Sequence, residues 1–285
     1  MTGGTARPGG GKGPVTLAVT SGKGGVGKTS VVVNLAVALA RLRNRVAVLD
    51  ADFGLGNVDV LLGLTPAAHL GHVLAGERRM HEILVEGPHG VRVLPASSGL
   101  RELTALTARQ WERLTRGLDE IAGDVDFLLV DTGAGISNNV IEVVGGAGRA
   151  LVVTSVEPTA VVDAYAVIKI LSAAHPTQEV GVLVNGVREA GEAELVFRQL
   201  DVAATRFLHR RLCSFGFITD DPAVRDAVAQ QRPVVDHAPQ SAASRAFRLL
   251  AARVATLAPM GGPGLRLVPR PAPPPLVAME APQCA

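Results

Sequence analysis

Residues 21–30, SGKGGVGKTS, place two lysines five positions apart in a run of glycines. Within them, Gly22–Lys23–Gly24–Gly25–Val26–Gly27–Lys28–Thr29 fits the spacing G-x-x-x-x-G-K-[ST]. Glycines let a backbone curl until successive N–H groups converge on phosphate oxygens. A helix starting at the end of the loop adds the partial positive charge of its first turn. Lys28 then reaches the β and γ phosphates of a nucleoside triphosphate, and the Thr29 hydroxyl supplies a ligand for Mg²⁺. The expected nucleotide contacts run from Gly22 through Ser30. A chance glycine-rich turn could carry the same letters, but it would lack the strand that enters this loop and the helix that leaves it. Lys23 lies outside the requirement of the pattern, and taken alone it reads as a solvated loop lysine.

Chemistry at such a loop also needs carboxylates, to manage Mg²⁺ and orient an attacking water. VAVLDAD (46–52) ends an apolar run on Asp50 and offers Asp52 two residues later. Side chains at i and i+2 of an extended chain point the same way, so both carboxylates can approach one site. FLLVDTGAGIS (127–137) closes another run on Asp131, with Gly133 and Gly135 permitting backbone motion beyond it. The competing role for each aspartate is to cap a turn after a strand. VGVLVNGVRE ends its run on Asn185, where the residues alone say only that a polar group terminates a buried strand.

The elements that must position these groups are readable. Strand candidates are 15–21, 45–52, 91–97, 126–132, 150–156 and 179–185, most of them continuous apolar runs suited to strands buried on both faces. Helical segments alternate with them: 28–43, apolar almost all round with Asn34 as its interior polar break; 107–122, with Leu114, Leu118 and Ile121 on one stripe; 158–174, opening on Pro158 and Thr159; and 240–258. This alternation predicts an α/β fold with a doubly wound, mostly parallel sheet and ligands at the C-terminal strand ends. Residues 1–13 read as a flexible Gly-rich arm, 14–258 as the nucleotide-binding domain and 259–285 as a Pro-rich disordered tail.

Composition narrows the function classes. The 285 residues are 47% hydrophobic and only 3% aromatic, so the core is packed by Val, Leu, Ile and Ala. A net charge of +2 gives no mandate for nucleic-acid binding. Cys213 and Cys284 form neither a disulfide framework nor a zinc motif. No apolar run reaches the ~18 residues of a membrane span, and the N-terminus lacks a signal-peptide core. His69 and His72 share helical spacing, but without Cys or acidic neighbours at ligand distance they make no metal site. ERRMH (77–81) and HRR (209–211) read as solvated basic faces. Arg245, Arg248 and Arg253 beside Phe247, Leu249 and Leu250 could meet lipid, but read rather as a packed terminal helix.

The stretch KGGVGKT (23–29) resembles, at every position, the deviant Walker A loop of the MinD/ParA ATPase superfamily. That resemblance implies an ATP hydrolase with ATP and Mg²⁺ as cofactors and an ATP-dependent homodimer. It assigns Lys23 a trans role, crossing the dimer interface to the other subunit's phosphates much as an arginine finger does. It makes Asp52 the switch I residue that positions the water, Asp50 a Mg²⁺-shell group, and FLLVDTGAGIS a Walker B and switch II segment whose Asp131 serves the metal together with Thr29. Catalysis is thereby expected from Lys23, Lys28 and Asp52. Asn185 matches an adenine-binding asparagine, and Asp220, Asp221 and Pro222 match a segment near the base. DADFGLGNVDVLLGL (50–64), HEILVEGPHGVRVLPASSGLRELTAL (81–106), DTGAGIS (131–137) and EPTAVVDAYAVIKIL (157–171) are similar to the flagellar number regulators FlhG and FleN. MinD carries an SPAGIE-like switch II and ParA a DxDPQ switch I, neither of which is present. The implied output is control of flagellar number or placement through a transcriptional activator or an FlhF-like GTPase. The alternative is a ParA- or MinD-like positioning ATPase acting on DNA, membrane or other cargo. Two departures bear on this. The arm has no D-Q-A-x-x-L-R-like activator helix, and prolines interrupt the tail where relatives carry an amphipathic membrane-targeting helix. The expected location is the cytoplasm, with peripheral contact at the inner membrane face left open. A metallochaperone or nitrogenase-reductase-like enzyme would need paired cysteines at the dimer face, which Cys213 and Cys284 do not supply.

Overall fold

Side chains on successive strand residues point to opposite faces, and here both faces bury them. On β1 (Val15–Ser21), Leu17 and Val19 join one apolar layer while Ala18 joins the other. On β2 (Val46–Ala51), Val46 and Val48 oppose Ala47 and Leu49 in the same way. This is why the strands read as continuous apolar runs. The structure is a computed structural model that describes residues 13–96, 106–259 and 265. The expected arm and tail, the SSGLRELTA stretch (97–105) and Cys284 therefore fall outside the described residues, apart from residues 13, 259 and 265.

The described strands form one eight-stranded sheet. Besides β1 and β2 it contains β3 (Val85–Glu86), β4 (Arg92–Leu94), β5 (Phe127–Ala134), β6 (Arg149–Thr154), β7 (Glu179–Val187) and β8 (Cys213–Thr219). Their order is β3-β4-β2-β5-β1-β6-β7-β8. All neighbours pair in parallel except β3, which runs antiparallel to β4. The six expected strands are present; β3 and β8 are additions. β8 is hard to see in the sequence because it mixes Cys213, Ser214 and Gly216 into its apolar residues and is buried at only two of its seven positions.

α1 (Lys28–Arg41), α2 (Val58–Leu61), α8 (Pro222–Ala229), α9 (Val234–His237) and α10 (Ala242–Ala255) cover one face of the sheet. α3 (Leu70–Ala75), α4 (Ala108–Ala122), α5 (Asn138–Gly146), α6 (Pro158–Ala174) and α7 (Ala190–Leu208) cover the other. α1 is apolar all round because it lies between the sheet and α10, and every residue from Val31 to Leu39 is buried. α4 begins with a capping box between Thr107 and Gln110 and buries Trp111, Leu114, Leu118 and Ile121. No described helix is long and apolar enough to cross a membrane.

α1 crosses one face between β1 and β2, and α5 crosses the opposite face between β5 and β6. The winding direction therefore reverses at β1, and the crevice at its C-terminal end is where this topology binds ligands. Two contacts tie down the other end of the sheet. The Arg149 guanidinium holds the Glu179 carboxylate at 2.8 Å and the Ala258 carbonyl at 2.8 Å. Leu265 is fully buried in the layer formed with α3–α7, although α10 packs in the opposite layer.

Candidate functional site

The loop at the reversal point is built on glycine conformations. Gly25 and Gly27 adopt φ of +79° and +91°, and Gly27 is the N-cap of α1. A Cβ on Gly27 would also lie 2.4 Å from Asn185 Nδ2. A Cβ on Gly22 would lie 2.2 Å from the Asp163 carbonyl, so α6 packs directly on the start of the loop. The Ser21 hydroxyl donates to the Lys23 carbonyl at 2.7 Å and fixes the turn between them.

The two lysines have different surroundings. Lys28 is buried at the first position of α1, on the carboxylate side of the loop. Lys23 leaves the loop on the α6 side. Its ammonium donates to Glu157 Oε2 at 2.6 Å and to Thr159 Oγ1 at 3.2 Å, and its side chain is 40% exposed. Sequence reading does not find Glu157 and Thr159 as partners. They lie 134 and 136 residues from Lys23, and only the packing of α6 on Gly22 brings them to it.

Asp50 and Asp131 meet across the β2–β5 register, where they are paired neighbours. Both are buried, at 1% exposure each. Asp50 is committed to its own loop: Oδ1 accepts from the Asp52 N–H at 3.2 Å and Oδ2 from the Val58 N–H at 3.1 Å. Gly56 makes that closure possible, since a Cβ there would lie 2.7 Å from Asp50 Oδ2 and 2.3 Å from the Ala96 Cβ. Burial, reinforced by the charge of Asp131, holds the Asp50 carboxyl well above the usual carboxylate range. Neither oxygen of Asp131 has a hydrogen-bond partner among the described residues. Burial pushes its carboxyl up to about 6, against the opposing pull of the Thr29 hydroxyl and the Lys28 ammonium nearby.

A buried carboxylate with two unpartnered oxygens beside a hydroxyl and an ammonium fits a divalent cation that also binds phosphate. Asp131 and Thr29 are the residues that would hold it. Asp50, Asp131's neighbour across the strands, also anchors the 52–58 loop through one N–H on each of its oxygens. Asp52 lies beyond the strand end, its Oδ1 accepting from the Leu55 N–H at 3.2 Å and facing Gly133. It therefore brings the segment expected to be switch I against the one expected to be switch II.

Asn185 reaches the loop rather than standing apart from it. Its Nδ2 donates to the Val26 carbonyl at 2.8 Å, so that amide hydrogen braces the loop backbone. Asp221 is occupied with structure. It caps α8 through the Ala223 N–H at 3.0 Å and receives the Ala243 N–H of α10 at 3.0 Å. Those donors hold its carboxyl below the usual range. Cys213 packs against Glu179, away from the loop, and burial pushes its thiol up. Of the histidines, His69 and His72 lie with ring centroids 4.1 Å apart, tilted to each other, and His72 Nδ1 accepts from the His69 N–H at the N-terminus of α3.

Known proteins are similar to this chain in sequence and in overall fold. The ParA family model, described as NUBPL iron-transfer P-loop NTPase, matches residues 14–255. Antiactivator FleN of Pseudomonas aeruginosa is 45% identical over 238 residues, covering 84% of this chain and 85% of that protein. Flagellum site-determining protein YlxH of Helicobacter pylori is 32% identical, covering 82% and 80% respectively. Among solved structures, the septum site-determining protein MinD complexed with Mg-ADP from Pyrococcus horikoshii superposes with a TM-score of 0.73 at 25% identity. That superposition covers 85% of this chain and 96% of the other.

Proposed function

This chain belongs to the MinD/ParA family of P-loop ATPases, and from that premise we propose that it is an ATP-gated dimerising switch controlling flagellar number or placement. The observation that carries the switch is the division of labour between the lysines. Lys28 is buried beside the carboxylates, whereas Lys23 is held at the loop's exposed edge by Glu157 and Thr159. A lysine so placed is available to a second protomer. The apolar side chains of Leu55, Ile136 and Val162 are exposed at 76%, 51% and 67%, on the switch segments and on α6 next to the loop. They support a face that a second copy covers.

In this reading the loop N–H groups and Lys28 bind the triphosphate, and Thr29 and Asp131 hold Mg²⁺. Bound there, Mg²⁺ neutralises charge on the β and γ phosphates. Asp52 orients the attacking water, and Lys23 of each protomer offsets charge developing on the other's nucleotide. Asp50 keeps the 52–58 loop in register, so Asp52 stays in reach. Hydrolysis is slow and returns the protein to monomers. The flagellar output follows the similarity to the antiactivator FleN and to YlxH. The partner is a flagellar transcriptional activator or an FlhF-like GTPase, and the site of action is the cytoplasm or the inner membrane face.

The test is a pulldown with full-length Asp52→Ala loaded with Mg·ATP. Recovery of a flagellar activator or GTPase supports the reading. Salt-sensitive, ATP-dependent DNA binding, or co-sedimentation with liposomes and no flagellar partner, would replace it with a ParA- or MinD-like positioning role.

A further inference from the structure

Asn34 is an anomaly in α1. It is 3% exposed, on a helix whose other residues from Val31 to Leu39 are apolar and buried. A buried amide is tolerated only where its hydrogen bonds are met. Its Nδ2 donates to the Ser30 carbonyl at 2.8 Å and lies 3.5 Å from the Ser30 hydroxyl. Its Oδ1 accepts from the Val235 N–H at 3.2 Å, 201 residues away in the first turn of α9. One side chain thus links the residue after Thr29 to a helix from the far end of the domain.

The link is part of a closed path. From α9, the Val234 and Ala238 carbonyls lie 2.9 and 2.8 Å from the hydroxyl of Ser244, a fully buried residue of α10. The adjacent Ala243 N–H donates to Asp221, and the Asp220 N–H donates to the Val187 carbonyl of β7 at 2.8 Å. Two residues back on β7, Asn185 donates to the Val26 carbonyl. The path therefore leaves the phosphate loop at Val26 and returns at Ser30, gripping the loop and the first turn of α1 from both ends.

We propose that Asn34 is a positioning residue of the nucleotide site: by tying Ser30 to α9 it completes this path and holds the first turn of α1 in its phosphate-binding geometry. It touches no ligand atom itself. Helix-starting N–H groups bind phosphate only when they converge, and the tie keeps them converged. The proposal rests on the ATP-binding reading above.

The experiment uses full-length wild type, Asn34→Ala, Asn34→Ser and Ser244→Ala. Calorimetric affinities for Mg·ATP and Mg·tripolyphosphate are measured well below each variant's Tm, together with KM and kcat. Serine can still back-bond to the carbonyl four residues earlier but is too short to reach Val235. The expected result is that both Asn34 variants weaken ATP and tripolyphosphate alike, by about tenfold, with KM raised and kcat at saturation within about twofold of wild type. Ser244→Ala, which breaks the next link and leaves Asn34 intact, shows the same pattern to a lesser degree, and it carries the test if Asn34→Ala does not fold. Variants with a lowered Tm but wild-type affinities overturn the proposal, because the tie would then serve stability alone. Full rescue by Asn34→Ser also overturns it, since the Ser30 bond without α9 would suffice. Failure of the wild type to bind ATP would instead refute the reading on which the proposal rests.

Discussion

The pair between Lys23 and Glu157 sets a measurable threshold for dimerisation. If Lys23 serves the other protomer's nucleotide, it must first leave Glu157 Oε2, 2.6 Å away, and Thr159 Oγ1, 3.2 Å away. The two side chains of the ion pair are 40% and 63% exposed. Exposed ion pairs contribute roughly 0–1 kcal/mol. Two protomers each give up one pair, so the cis contacts oppose the dimer by at most about 2 kcal/mol, on the order of 30-fold in Kd. Glu157→Gln removes the charge and keeps the shape. At low salt it should tighten the Mg·ATP dimer by between about 2- and 30-fold in sedimentation velocity. ATP affinity of the monomer should stay unchanged, because Glu157 is not among the phosphate ligands. The advantage should shrink as salt rises, since the screening length falls to about 3 Å at 1 M. An unchanged or weaker dimer at low salt would refute the argument that Lys23 is held back in cis.

Other outcomes follow from the same geometry. Asp52→Ala should bind Mg·ATP as wild type does and lose turnover by roughly 10²–10³-fold, the scale of a lost water-orienting or acid–base group; size exclusion should show accumulated dimer. Gly56→Ala places a methyl group 2.3 Å from the Ala96 Cβ. Displacing the 52–58 loop should cost about 1–3 kcal/mol of stability and reduce kcat more than ATP affinity, measured by chemical denaturation and steady-state kinetics. The folded Asp131 binds its proton with a pKa of about 6, above its value of 3.8 in an unstructured chain. The folded state therefore holds more protons between those values, and Mg²⁺-free stability should fall as pH rises from about 4 to 6.5. Asp131→Asn should show a smaller fall in pH-resolved melting, the buried Asp50 carboxyl still contributing its share, and stabilisation of the wild type by Mg·ADP should grow across the same window as the Asp131 carboxylate ionises.

Much of the site is legible in the sequence because its chemistry is local. The loop from Gly22 to Ser30 needs glycines and a lysine at fixed spacing, and the strand ends at Asp50 and Asp131 follow apolar runs that only a two-sided sheet demands. The groups that are not legible depend on chain segments far apart in sequence. Nothing near Lys23 announces Glu157, and nothing near Asn34 announces Val235. A one-dimensional reading of Asp50 cannot show that the Asp52 and Val58 N–H groups also donate to its oxygens. Nor can it show that Asp221 accepts N–H groups from the first turns of two helices. β8 is obscure because an edge strand is buried less and alternates less clearly than a central one.

Leu265 ties the stability of the nucleotide-binding scaffold to a residue beyond its last described helix. Every phosphate-facing and carboxylate residue described above lies before Ala258, so a ribosome that has reached that point has already encoded the whole nucleotide site. A chain released there would nevertheless lack the leucine that is fully buried against the α3–α7 layer. Loss of a buried leucine side chain costs about 2–5 kcal/mol, a large share of a typical domain's net stability. Such a product would carry the site on a weakened scaffold. A chain cut after Ala258 should therefore keep the residues of the nucleotide site and melt at a lower temperature.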